Sequence, residues 1–231
     1  MFPDDFAIAK RWPAENPDVI QLYSYPTPNG VKVSTMLEET GLDYEPHFVS
    51  LSDEDVRSPE FLSVSPNNKI PAIVDPNGPD GPVGIFESGA ILIHLAEKSG
   101  RFLPSGNTRL EVLQWLMWQM GGLGPMLGQL GFFHAFKGKE IEDPRPKDRY
   151  VNEAKRLLGV LDTRLEGREW VAGEYSIADM AIAPWLETIH RFYDAGETVE
   201  WNGFANLEPY RQRFLSRPAV AKAWDIPHVP E

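Results

Sequence analysis

The chain has no cysteine among its 231 residues. That absence excludes structural disulfides, thiolate metal centres and a cysteine nucleophile carried by the protein itself. Any thiol chemistry here would have to use a sulfur supplied by a ligand. Long apolar runs are missing too. No stretch approaches the ~20 residues of a membrane-spanning helix, and residues 1–17 lack the apolar core of a secretory signal and read as an N-terminal arm. Positive charge is scarce: 22 Lys and Arg face 34 Asp and Glu, a formal net charge of −12. No basic stripe is available to neutralise phosphates, which disfavours nucleic-acid binding. The histidines, at 47, 94, 134, 190 and 228, do not cluster at ligand spacing. Glu187 and His190 lack a third partner, so no metal is expected. What is present, 42% hydrophobic and 24% charged residues, is the make-up of a soluble globular protein with enough chain for a sizeable core.

The organising stretch is Asn67-Asn68-Lys69-Ile70-Pro71-Ala72-Ile73-Val74, followed after a Pro-Gly-rich turn by Ile85-Phe86-Glu87-Ser88-Gly89. Pro71 has no N–H to give a sheet, so it fits a strand start or a tight bend, and a cis bond is one way to make that bend. With a cis bond, Ile70 would turn its own N–H and C=O outward, where a peptide-like ligand can pair with them. Ser88 reads as the N-cap of a helix. The unpaired N–H groups of such an end favour a carboxylate. Together these segments make a half-site for a small peptide bearing a carboxylate. A turn that serves only the fold and an ordinary capped helix account for them equally well.

Around this stretch the patterning predicts strands over 19–23 and 44–49, with a helix between them that carries Val33, Met36 and Leu37 at helical spacing and stops at Gly41. A short helix over 53–62 follows, then the Pro71 strand, a strand over 83–86, and a helix with Ile91, Leu92, Leu95 and Ala96 on one face. This β-α-β-α-β-β-α order is that of a thioredoxin-like domain, expected over 19–101. Residues 102–106 read as a linker. An all-α domain is expected over 107–225, and 226–231 as a tail. Within it, Gly121-Gly122-Leu123-Gly124-Pro125 must kink or interrupt a long aromatic helix. A charged loop is expected over 137–147 and a helix over 151–165. Ser176-Ile177-Ala178-Asp179 is spaced as a capping box, and Pro218 suits the first turn of a last helix.

Five motifs carry a resemblance: Tyr25-Pro26-Thr27-Pro28-Asn29-Gly30-Val31-Lys32, residues 65–73, Phe86-Glu87-Ser88-Gly89-Ala90-Ile91, residues 121–128 and the capping box at 176–179. In that order, the chain after about Val19 resembles the cytosolic glutathione transferases, and among them the bacterial Nu class with its fungal nitrogen-regulator-like relatives. The resemblance implies a cytoplasmic homodimer with its active site at the cleft between the two domains. It implies glutathione as cosubstrate, with a small electrophile, disulfide or peroxide as second substrate. Thr27 and Asn29 would then face the thiolate, with Tyr25 a rival and Tyr23 expected in the core. Ile70, bent by Pro71, would pair with the cysteinyl unit. Glu87 would hold the γ-glutamyl ammonium and Ser88 its carboxylate, with Lys69 at the glycyl carboxylate and Arg149 near the ligand. Lys32, Lys69 and Arg149 would supply positive potential in an acidic protein.

Simpler readings stand beside these. Thr27 and Asn29 alone are a capped turn, Lys69 a solvated loop lysine, and Arg149 a surface arginine opening a helix. Trp115, Trp118, Phe132, Phe133 and Phe136 would line an acceptor pocket or fill core and dimer surface. The resemblance implies disulfide-bond reductase and peroxidase-type activity. Glutathione-dependent cleavage of aromatic ethers or thioethers is an alternative, and a non-enzymatic regulatory protein on the same fold is another.

Overall fold

The computed structural model describes residues 6–230; the first five residues of the expected arm and the last of the expected tail lie outside them. The chain divides into two compact units. The first contains β1 (Ile20–Ser24), α1 (Pro28–Thr40), β2 (Tyr44–Phe48), α2 (Asp53–Val56), α3 (Pro59–Leu62), β3 (Ala72–Asp75), β4 (Val83–Phe86) and α4 (Ser88–Ser99). The expected element order is present. The single helix expected over 53–62 is two, because Ser58 precedes Pro59 and so leaves the helical region, then caps α3 by accepting from the Phe61 N–H.

The sheet runs β2-β1-β3-β4. β2 is parallel to β1 across the α1 crossover, while β3 is antiparallel to both β1 and β4. Every residue of β1 and β3 is buried, as central strands covered on both faces require. Tyr23, Ala72 and Val74 belong to a cluster with Ile8, Val49, Val56, Phe61, Val64 and Ile70. Leu22 and Ile73, one residue along, point to the opposite face. The N-terminal arm closes the Tyr23 face. Phe6 and Trp12 pack on the cluster, the Trp12 indole donates to the Phe48 carbonyl at 2.9 Å, and the backbone N–H groups of Glu15 and Asn16 donate to the Glu45 carboxylate.

The second unit, Phe102–Arg217, is helical: α5 (Gly106–Trp118), α6 (Gly124–His134), α7 (Pro144–Leu165), α8 (Ile177–Arg191) and α9 (Leu207–Leu215). The interruption expected at 121–125 is a π-helical turn, Gln119–Leu123, that carries α5 into α6. Pro125 cannot donate to residue 121, and the wider turn absorbs the missing bond. The charged loop is shorter than expected, because Asp143 accepts from the Arg145 N–H and starts α7 at Pro144, a favoured first helical position. The capping box opens α8 as expected. Asp179, fully buried, accepts from the N–H groups of Val171 and Ser176 and from the Tyr210 hydroxyl at 3.0 Å each. Burial pushes its carboxyl up to about 6 against those hydrogen bonds, which join α8, α9 and the 170–176 loop.

The helical stretch expected to run through residue 225 ends earlier. The last helix, α10 (Pro218–Ala223), belongs to the first unit and packs on α1. Lys222 pairs with Glu38 at 3.1 Å, and the Ser34 hydroxyl donates to the Ile226 carbonyl at 3.1 Å.

Candidate functional site

The sheet register decides which loops meet. Tyr23 pairs with Ala72, and Ala72 with Phe86. The loop leaving β1, the loop entering β3 and the turn leaving β4 therefore emerge at one end of the sheet. Those loops carry Thr27 and Asn29, Lys69 to Pro71, and Glu87 with Ser88. One end of one sheet thus brings together seven of the eight residues singled out from the sequence.

Thr27 is the N-cap of α1. Its hydroxyl accepts from the Gly30 N–H at 3.2 Å, which leaves the hydroxyl proton for another acceptor. Asn29 lies in the first turn of α1. The loop is held tightly against the helix: a Cβ on Gly30 would sit 2.0 Å from the Tyr25 carbonyl oxygen. Only glycine permits that approach, and it is what presents Thr27 at the helix end. Tyr25 is half-buried and packs on Phe48 at 5.5 Å. Tyr23 is fully buried and stacks on His47 at 4.7 Å; burial raises its phenol, whose hydroxyl has no partner among the described residues. It is a core residue.

The Ile70–Pro71 bond is cis. No described residue pairs with the N–H or C=O of Ile70, whose side chain is buried in the cluster under the arm. Lys69 is exposed, and its carbonyl accepts from the Ser65 hydroxyl at 2.7 Å.

The structure corrects the assignment of Ser88 as N-cap. Glu87 is the N-cap, at φ +70°, and Ser88 is the first residue of α4, with its side chain nearly buried. A left-handed conformation is costly for glutamate. It leaves the Glu87 side chain exposed and the Ser88 hydroxyl turned inward. The first intrahelical bond of α4 is from the Ile91 N–H to the Glu87 carbonyl, so the N–H groups of Gly89 and Ala90 precede the helix's own ladder.

The inward partner of Ser88 is Lys32. This side chain, expected to lend local positive potential, is fully buried, and its Nζ donates to the Ser88 Oγ at 3.3 Å. Burial pulls its ammonium down to about 7, while Glu87 pulls the other way. Charge and spacing in the sequence did not reveal this burial, because Lys32 sits between Val31 and Val33 on a helix covered by both α4 and α10.

Arg149 belongs to the second unit, exposed on α7. In that unit Phe132 and Phe136 are exposed and line an open cavity of 510 Å³ with Ala135, Lys137, Lys139 and Glu140. Phe133 stacks on Tyr150 at 5.4 Å, and Trp115 meets Trp118 edge-on at 5.1 Å. Among the described residues no group of His, Asp and Glu could hold a metal ion, and no helix is long and apolar enough to cross a membrane.

Known proteins resemble this chain in sequence and in fold. Residues 18–97 match the family pattern "Glutathione S-transferase, N-terminal domain", and residues 125–218 match its C-terminal counterpart. The chain is 46% identical over 209 residues to the disulfide-bond oxidoreductase YfcG of Escherichia coli, covering 89% of this chain and 94% of that one. A glutathione transferase from Pseudomonas putida, solved with one glutathione disulfide bound per subunit, is 58% identical. It superposes with a TM-score of 0.95 over 97% of this chain and 98% of that one. One from Burkholderia graminis, with two glutathione molecules per subunit, is 59% identical, with a TM-score of 0.96 over 98% and 96% of the two chains.

Proposed function

Because the chain belongs to the glutathione S-transferase family, we propose that it is a glutathione-dependent disulfide-bond reductase with peroxidase-type activity, of the Nu-class kind. The observation that carries this reading is the meeting of Thr27, Ile70 and Glu87-Ser88 at one end of the sheet, in a protein with no sulfur nucleophile of its own. Glutathione lies along that end. Its cysteinyl unit pairs with the Ile70 backbone beside Pro71. Glu87 takes the γ-glutamyl ammonium, Ser88 with the first N–H groups of α4 takes its carboxylate, and Lys69 reaches the glycyl carboxylate. Arg149 is a further candidate contact for the ligand.

The Thr27 hydroxyl donates to the sulfur at the N-terminus of α1, with Asn29 beside it. Lowering a thiol from about 8.5 to near 6.5 requires about 2.7 kcal/mol. One hydrogen bond to a charged acceptor and a helix terminus supply that order of energy. The thiolate attacks one sulfur of a disulfide. A glutathione mixed disulfide forms, and the other sulfur leaves as a thiolate that takes up a proton. A second glutathione thiolate then attacks the glutathione sulfur, giving glutathione disulfide and the second reduced thiol. With a hydroperoxide, the first thiolate attacks the hydroxyl oxygen and expels an alkoxide that takes up a proton, leaving glutathione sulfenic acid; the second glutathione attacks its sulfur, giving glutathione disulfide and water. The protein positions and stabilises the thiolate and forms no covalent bond itself. The pair of glutathiones in the Burkholderia relative and the disulfide in the Pseudomonas one support this sequence of steps. On the family's pattern we also place the protein in the cytoplasm as a homodimer.

The test is consumption of reduced glutathione with hydroxyethyl disulfide and with cumene hydroperoxide, followed by coupled reduction of the glutathione disulfide formed. Turnover with either, with oxidised glutathione in stoichiometric yield, is expected. Binding of glutathione with no turnover of any disulfide, peroxide or aromatic thioether would instead favour a regulatory protein.

A further inference from the structure

Lys32 is a buried cation for which the steps above have no use. Its side chain is fully covered, and its Nζ lies 3.3 Å from the hydroxyl of Ser88, the residue that opens α4. Glu87, with its strained backbone, stands next to that hydroxyl and acts on the ammonium from α4. Of the charged groups on the elements packed against α1, Lys222 of α10 pairs with Glu38, His94 and Lys98 of α4 are engaged by Asp75, α4 also carries Glu97, and Arg101 donates to the Glu39 carbonyl at the end of α1. Burying an ammonium is costly, and an apolar side chain of similar length would occupy the space without that cost.

We propose that Lys32 is a positioning residue that supplies the counter-charge for the γ-glutamyl carboxylate through the Ser88 hydroxyl, and so makes the site selective for a ligand that carries a carboxylate there. The inference rests on the glutathione reading of this end of the sheet. The Nζ–H donates to the Ser88 Oγ, which orients the Ser88 proton away from Lys32 and toward an incoming carboxylate. The ligand meets a neutral hydroxyl backed by a full positive charge. Lys32 never touches the ligand.

The arrangement couples binding to protonation. In the free protein burial pulls the ammonium down to about 7, so it is partly deprotonated at physiological pH. A carboxylate arriving on the far side of Ser88 favours the charged form, so binding takes up a proton. Uptake is small below pH 7, where Lys32 is already charged, and grows above it; affinity falls as pH rises through the same window.

S-Methylglutathione is the probe, because it has no ionisable thiol to confuse the readout. Its binding to the full-length protein is measured calorimetrically between about pH 6.5 and 8.5 in two buffers of different ionisation enthalpy. Wild type is expected to take up roughly half a proton at about pH 7.5. Lys32→Met is expected to bind about tenfold more weakly at neutral pH and to lose that uptake. A merely structural role for Lys32 would change affinity without removing the proton linkage. Equal affinity and equal uptake in Lys32→Met would overturn the proposal while leaving the glutathione site intact. So would wild-type binding with no proton uptake, which decides the matter if the variant does not fold. Failure of wild type to bind S-methylglutathione at any pH would remove the glutathione reading and this inference with it.

Discussion

Thr27 offers the sharpest test of how the thiolate is held. Its hydroxyl already accepts from the Gly30 N–H at 3.2 Å, so its two roles can be separated in one residue. Thr27→Val keeps the shape and removes both. Loss of the cap costs about 1 kcal/mol of stability. Loss of a hydrogen bond to a charged sulfur costs about 1.5–3 kcal/mol of thiolate stabilisation, which raises the bound thiol by about one to two pH units. For a thiol that starts near 6.5, a rise of about 1.5 units cuts the ionised fraction at pH 7 from roughly three quarters to roughly a tenth, an approximately eightfold loss of rate. Thr27→Ser should restore it. The assay is the pH dependence of turnover, together with titration of thiolate ultraviolet absorbance in the glutathione complex. The acid limb of the profile should move up in Thr27→Val, and the two enzymes should converge in alkaline solution, where the thiol is ionised without help. A loss of rate that is the same at every pH, with the acid limb unmoved, would refute the reasoning and leave Thr27 as a helix cap only.

Three further outcomes follow from the same geometry. Tyr23→Phe removes a buried hydroxyl with no partner among the described residues; activity should be unchanged and stability within about 0.5 kcal/mol of wild type, whereas collapse of turnover would make Tyr23 the thiol donor. Glu87→Gln should raise the KM for glutathione roughly fivefold with little change in kcat, since an exposed carboxylate–ammonium contact contributes about 1 kcal/mol; an unchanged KM would remove Glu87 from the site. Asp75, fully buried at the other end of β3, accepts from His94 at 2.7 Å, from the Asn77 N–H at 2.9 Å and from Lys98. Burial would raise its carboxyl, but these partners outweigh it and hold it at about 2. That shift is worth about 2.5 kcal/mol, present above pH 4 and lost as pH falls toward 2. Asp75→Asn should therefore unfold at lower urea concentration at pH 7, with the gap to wild type narrowing in acid. A gap of constant size would exclude the charge as its cause.

Much of this protein was legible in the residue order because its signals are local. Period-two and helical patterning, Gly41 at the end of α1, Pro218 at the start of α10 and the Ser176–Asp179 box each depend on neighbours within a few residues. The lack of cysteine was decisive on its own, since no fold can create a thiol that the chain does not contain.

Other features were settled in three dimensions. That loops 25–29, 69–71 and 87–88 share one end of the sheet follows from the pairing of Tyr23, Ala72 and Phe86, a long-range register that spacing cannot show. That Glu87, rather than Ser88, caps α4 depends on a left-handed backbone at a residue type that rarely adopts one. The π turn before Pro125 carries α5 into α6 where the residue order alone left a kink and a break equally open. The return of α10 to α1 and the burial of Lys32 depend on which surfaces are covered. Local chemistry is written residue by residue; the cover over a side chain is contributed by segments distant in the chain, and only their packing decides whether a lysine is a solvated charge or a buried one.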